Sequence, residues 1–234
     1  MTEEETRQLA PQAVVMAEAG GPPSTGFDGL IQRIIRECDK AKLEELRREF
    51  HTRLRLTQTH PDDPQIVEDL WDFFYDWCVF EQRLPDGLTT LSSDEFAEWA
   101  RLREANTRSL FAAAKVGDTE LKLKDLYNGR TYVVPKVVAN DFVGIDKGDI
   151  LEGRLVEDEE PAEKGKKRYR FARRPSYHPA SIHDYIKRKV RQFKSRQDFT
   201  TFQAWLWILV GMSIKHRMYP QLPIEKIYDD NSRI

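Results

Sequence analysis

The chain reads as an α+β protein: a mostly helical N-terminal part, a small antiparallel β-sheet or barrel over about 110–172, and two C-terminal helices. Three observations predict this. Apolar residues recur at three- and four-residue steps from Phe27 to about Ala105, the period of helices with one buried face. Near Ser109 the pattern becomes alternation broken by turn pairs, with no helix between strands, which means antiparallel pairing. Helical spacing returns at Ile182. The expected division is a disordered tail over 1–26, a helical domain over 27–107, a small antiparallel β domain over 108–174, and C-terminal helices over 175–234 packed on the β unit.

The tail is expected because Gly20-Gly21-Pro22-Pro23-Ser24-Thr25-Gly26 continues neither helix nor strand. Phe27, Leu30, Ile31, Ile34, Ile35 and Cys38 then form one apolar stripe. Leu43, Leu46, Phe50 and Leu54 repeat the spacing after a break near Asp39. His60-Pro61-Asp62-Asp63-Pro64 stops the chain, with Asp63 as N-cap and Pro64 in the first turn of the next helix. That helix carries Leu70, Trp71, Phe73, Phe74, Trp77, Cys78 and Phe80, too many for a narrow stripe, so it packs on more than one side. Leu84-Pro85-Asp86-Gly87 ends it. Ser92 and Glu95 then make a capping box for a helix with Phe96, Trp99, Ala100 and Leu102 on its buried face.

Leu121 and Leu123 alternate with Glu120, Lys122 and Lys124, and Asn128-Gly129 is a strong hairpin signal. A two-residue loop there sets Leu123 opposite Val134 and Asp125 opposite Tyr132. Lys147-Gly148-Asp149 is a second turn and opens a strand over Ile150–Val156, a pattern shared with oligonucleotide-binding barrels and with any sharply bent strand. Glu157 to Lys167 reads as a charged, mobile loop. Tyr169 and Phe171 alternate with Arg168 and Arg170 in a final strand, and Pro175 and Pro179 mark the exit. Ile182, Tyr185, Ile186, Val190 and Phe193 define one C-terminal helix. Phe199, Phe202, Trp205, Leu206, Leu209 and Met212 define the other, capped by Asp198 and ended by Pro220 and Pro223.

Of the 234 residues, 40% are apolar, enough for a real core. Cys38 and Cys78 sit at apolar helical positions and read as buried free thiols, as suits a reducing cytoplasm. Met1-Thr2-Glu3-Glu4-Glu5 is acidic, unlike a signal peptide. The apolar run Ala204 to Met212 is far short of the roughly 20 residues that span a bilayer, so no membrane span is expected. The five histidines do not cluster, and none has a Cys or carboxylate at ligand spacing. No nucleophile elbow and no Gly-rich phosphate loop occurs. The expectation is therefore no catalytic residues, no metal and no cofactors.

The net charge of −2 hides a segregation. Residues 164–196 carry thirteen Lys/Arg against one acid, Asp184, whereas residues 1–163 carry twenty against thirty-four. A basic segment on an acidic body points to an anionic partner, to an internal contact between the two, or to a solvated face. The candidate anion or nucleic-acid surface is Arg168, Arg170, Arg173, Arg174, Lys187, Arg188, Arg191 and Lys194, with Tyr169, Phe171, Tyr177 and His178 among them. Clustered cations release counterions from phosphates, and exposed aromatics stack on unpaired bases. The partners expected are RNA or another polyanion, or an acidic protein. The function expected is that of a non-enzymatic cytoplasmic binding or adaptor protein. The alternatives are an enzyme whose site is invisible as a motif, or a structural subunit of a larger assembly.

Several packing and turn residues also carry a resemblance: Trp71 to Pro85, Leu91-Ser92, Leu110 to Val116, Asp125-Leu126 with Gly129, and Gly148-Asp149-Ile150-Leu151 with Arg154-Leu155. Over roughly residues 65–185 the chain resembles an uncharacterised bacterial protein family with a helical domain and a small β unit. Some similar proteins end in a Cys/His zinc motif of the type at the C-terminus of the secretion ATPase. This chain has no cysteine after Cys78, so that site is absent. The resemblance implies a fold and no activity.

Overall fold

In the computed structural model, which describes residues 29, 33, 38–56, 63–82, 91–136, 142–158 and 167–230, the fold is α+β, with helices before and after a small antiparallel sheet. The tail over 1–26, most of the helix expected from Phe27, the Leu84–Gly87 stop and most of the Glu157–Lys167 loop lie outside the described residues.

Helix α1 (Lys40–Leu54) starts where the break was expected, because the Asp39 carboxylate accepts from Lys42 N. Helix α2 (Pro64–Glu81) is capped by Asp63, which accepts from Gln65 N at 2.8 Å. Helix α3 (Ser93–Glu104) has both bonds of the capping box between Ser92 and Glu95. Its Trp99 is buried and donates Nε1–H to the Val79 carbonyl. Phe96, expected on the buried face, is instead exposed and meets Trp99 edge-on at 5.6 Å, flanking the indole from outside.

Strand β1 (Asn106–Val116) follows α3 after one residue and starts earlier than the expected 110. Asn106 is the junction: its Nδ2 donates to the Leu102 and Arg103 carbonyls, closing the helix, while its backbone already pairs with the sheet. Strands β2 (Glu120–Asp125) and β3 (Thr131–Pro135) form the hairpin at Asn128-Gly129, but in a different register. Leu123 faces Tyr132, and Val134 faces Leu121. The loop is wider than two residues because the Asp125 carboxylate gathers it, accepting from Tyr127 N, Asn128 N and Ser109 Oγ. Gly129 then takes a φ of 77°, the left-handed conformation that reverses the chain.

Strands β4 (Ile150–Glu157), β5 (Tyr169–Phe171) and β6 (Ser176–His178) complete a sheet of order β3-β2-β1-β4-β5, with β6 also on β4. All pairs are antiparallel. The sheet curls until Tyr132 on β3 meets Tyr169 on β5 edge-on at 4.9 Å, without a hydrogen-bonded ladder between those strands. Gly153 permits the tightest contact, since a Cβ there would lie 3.0 Å from the Phe171 ring.

The two faces of β1 and β4 bury different things. One face, with Phe111, Ala113, Leu151 and Leu155, lines the interior of the curl beside Leu121, Leu123 and Tyr132. The other meets the helices: a 3₁₀ turn (Ala180–Ile182), then α4 (His183–Ser195), α5 (Phe199–Met218) and α6 (Ile224–Ile227). Leu110 and Ile150 pack with α4 and α5, while Val156 joins the aromatic core of α1, α2 and α5. Phe50 is the hub of that core, 5.5 Å from Trp77 and 5.3 Å from Trp207. Cys38 and Cys78 are buried and not joined in a disulfide, and burial pushes the Cys78 thiol up.

Helix α5 therefore joins both parts of the molecule, touching the N-terminal helices on one side and the sheet and α4 on the other. It approaches α1 by backbone contact, since a Cβ on Gly211 would lie 1.9 Å from the Leu54 carbonyl oxygen. Gly211→Ala is expected to force these helices apart and to cost about 2–3 kcal/mol, the upper part of the overpacking range. Urea denaturation measures it; a loss within error of zero would show that the helices part at no cost.

Candidate functional site

Helix α4 has a sharply two-sided sequence. Ile186, Val190 and Phe193 are buried, and Lys187, Arg188, Arg191 and Lys194 fall on the solvent side at helical spacing. From Lys187 to Lys194 the four cations cover about 10 Å of helix. None lies within ion-pair distance of a carboxylate among the described residues, and Arg188 rests over the Tyr185 ring at 5.8 Å. Lys189, on the flank, pairs with Asp230 at 2.5 Å.

The cations expected from the last strand and its exit are placed differently. Arg173 donates to Asp72 of α2 at 3.3 Å, tying the segment after β5 to the acidic helical body. Arg168 and Arg170 are half-buried on or beside β5, and Arg174 is exposed near Tyr177. The structure thus brings Lys187, Arg188, Arg191 and Lys194 onto one open face, while Arg173 is neutralised by a partner from the N-terminal half.

The aromatics are also redistributed. Tyr169 and Phe171 pack against Tyr132 and Phe111 in the curl, and His178 is buried, so these three do not present open rings to a base. Tyr177 remains exposed at 41%. A further ring appears where sequence periodicity placed core. Phe199, the first residue of α5, is 54% exposed. It sits 5.3 Å from Tyr127, which itself stacks on Phe202 at 4.6 Å. This pair adjoins the C-terminal end of α4, since Lys194 acts electrostatically on Asp125, two residues before Tyr127. The missed signal was position: an apolar residue directly after a capping Asp lies in the first turn, where one side is still open.

A second constellation lies between sheet and helices. Arg108 on β1 and Arg154 on β4 face each other in register. Arg154 donates to both oxygens of Asp76, to Glu81 at 2.7 Å and to Asn106. Arg108 bonds Glu152 at 2.9 Å and approaches Glu81. Its guanidinium lies 3.3 Å from the ring centre of Trp207, whose Nε1–H donates to Glu81. Two cations and three carboxylates leave one excess negative charge. Burial raises the Glu152 carboxyl, partly opposed by Arg108, whereas the two guanidiniums override burial at Glu81 and hold it low. Arg108, Arg154, Asp76 and Glu152 are all buried, and together they form a clamp between the layers.

His178 is buried with Nε2 unpartnered and its Nδ1 3.4 Å from Tyr228 Oη; burial moves its pKa down to about 3, leaving a neutral ring. No group of three or more His, Cys, Asp or Glu able to hold a metal occurs among the described residues. No helix among them is long and apolar enough to cross a membrane. No protein-family model, no curated protein and no solved structure matches this chain.

The clamp sets a ranking of substitutions. Asp76→Asn leaves Arg154 short of charge in a buried site and is expected to cost about 3–5 kcal/mol. Glu152→Gln removes the same single charge, but from a carboxyl that burial already biases toward its neutral form, and is expected to cost under about half as much. The pH dependence has opposite signs for two of the members. Because the Glu152 carboxyl is raised, the folded chain takes up that proton before the unfolded chain does. Its contribution is present at low pH and is lost as pH rises through the raised folded value. Glu81 contributes fully above its unfolded value and loses this only as pH falls through its lowered folded value. Urea denaturation of both variants across pH measures this; equal costs for Asp76→Asn and Glu152→Gln would contradict the ranking.

Proposed function

We propose that this is a non-enzymatic cytoplasmic binding protein whose α4 face takes an extended polyanion, with single-stranded RNA as the partner. The observation that carries the reading is the open row Lys187, Arg188, Arg191 and Lys194, which has no neutralising carboxylate among the described residues. Cations left free on one helix face cost little in water and gain through counterion release when phosphates replace salt. The exposed Phe199 ring at the end of the row favours RNA over an acidic protein, because unpaired bases offer π-faces and carboxylate side chains do not. Arg174 and Tyr177 extend the same chemistry toward the sheet, whereas Arg173 serves the fold through Asp72. That Cys38 and Cys78 are buried and form no disulfide supports a reducing compartment. Kinship with the bacterial family named above is part of the same proposal and brings no activity with it.

Fluorescence anisotropy with a labelled oligouridylate tests this. Four phosphate contacts give a log–log salt slope near −3, so affinity is expected to fall about fifty-fold between 50 and 200 mM salt. Lys187→Glu with Arg191→Glu is expected to flatten that slope. Phe199→Ala is expected to weaken binding by about 1–3 kcal/mol while leaving the slope unchanged. No binding at 50 mM salt, or binding indifferent to the double charge reversal, would overturn the reading. Capture of oligoglutamate in preference to the oligouridylate would assign the face to an acidic protein.

A further inference from the structure

Helix α5 is apolar along most of its length, yet Lys215 near its end is only 5% exposed. No carboxylate stands within ion-pair distance of Lys215, and its ammonium has no hydrogen-bond acceptor among the described residues. It lines a narrow crevice open to solvent. A second cation, Arg55, lines the same crevice and donates to the Asp230 carbonyl at 2.7 Å. Their meeting follows from the backbone. The contact of Gly211 with Leu54 brings the end of α1 against α5, and Lys215 lies one turn further along. Arg55 then turns back in the left-handed conformation, φ 54°.

We propose that this crevice is a binding site for a small oxyanion, the carboxylate or phosphate head of a compact ligand, held between Arg55 and Lys215. Two cations sharing one acid, Asp229, leave an excess positive charge, and the burial of Lys215 adds a desolvation cost that an entering anion offsets. Burial and, after it, the charge of Arg55 both push the Lys215 ammonium below its ordinary range, in keeping with an uncompensated site. Leu54, Ile208, Met212 and Ile227 wall the crevice with apolar surface, which strengthens charge–charge attraction by excluding water. Asp229 is the one acid on the rim, and it leaves the balance positive. Guanidinium and ammonium together offer a planar fork and a point charge, the donor set for three or more oxyanion lone pairs. The site is separate from the α4 face and does not depend on it.

The test uses the full chain with labelled lysine side chains, at an ionic strength fixed with chloride. Sodium phosphate and sodium butyrate are titrated separately while the Lys215 Cε resonance is followed. A saturable shift at Lys215 is expected with at least one anion, about tenfold weaker in Arg55→Gln. The same anion is expected to raise the unfolding midpoint of the wild type and not of Lys215→Met. A response to phosphate alone assigns a phosphate head, and one to butyrate alone assigns a carboxylate with a short apolar tail. A linear, unsaturating shift with both anions, or equal rises in wild type and Lys215→Met, overturns the proposal. Arg55→Gln is exposed enough to fold and carries the comparison should Lys215→Met not fold.

Discussion

The molecule is organised around a charge problem in its middle layer. The register of β1 on β4 sets Arg108 directly opposite Arg154, on the face that turns toward the helices. Two like charges in that position repel, and neither reaches bulk water. Asp76 and Glu81 of α2 and Glu152 of β4 resolve the repulsion, and Trp207 of α5 covers Arg108 with its ring. The partners come from three elements, α2, β4 and α5, so the sheet fits the helices in one position only. An apolar interface of the same area tolerates sliding; a set of bidentate and shared guanidinium bonds does not. This arrangement is the hypothesis that best accounts for the retention of so many charges where hydrophobic packing alone would serve.

What could be read from sequence was whatever is decided locally. Asp63, Ser92 and Asp198 cap helices because a short polar side chain satisfies its own neighbours' N–H groups, and such signals lie within a few residues; near Asp39 the sequence showed only a break, which the structure makes a cap. The two-sidedness of α4 was equally visible. The hairpin register was not, because Asp125 spends its carboxylate on three donors, one of them Ser109 on another strand. Strand β6 escaped notice because three residues between prolines carry no period. The clamp left one clue, an aspartate amid the rings of α2. Its partner Arg154 lies 78 residues away, beyond the reach of any local rule.

The same division explains the candidate sites. Which cations exist was plain; which remain free was not. Arg173 finds Asp72 across 101 residues, and Lys189 finds Asp230 across 41, so the basic segment is partly consumed in holding the fold together. Four others, Lys187, Arg188, Arg191 and Lys194, gather on the outer side of α4. The Arg55–Lys215 crevice arises from the reverse logic: two cations unremarkable in sequence meet because Gly211 lets two backbones touch. The two proposed sites thus differ in kind, an open row of cations for an extended polymer and a cation pair in a crevice for a compact anion.

Because the clamp ties sheet to helices, they should open together. Native-state hydrogen exchange of the amides in β1, β4 and α2 measures this most directly. A shared opening free energy, with one shared denaturant dependence, is the result this account predicts. Exchange of α2 at a distinctly lower free energy than β1 and β4, with the sheet remaining protected, would contradict it.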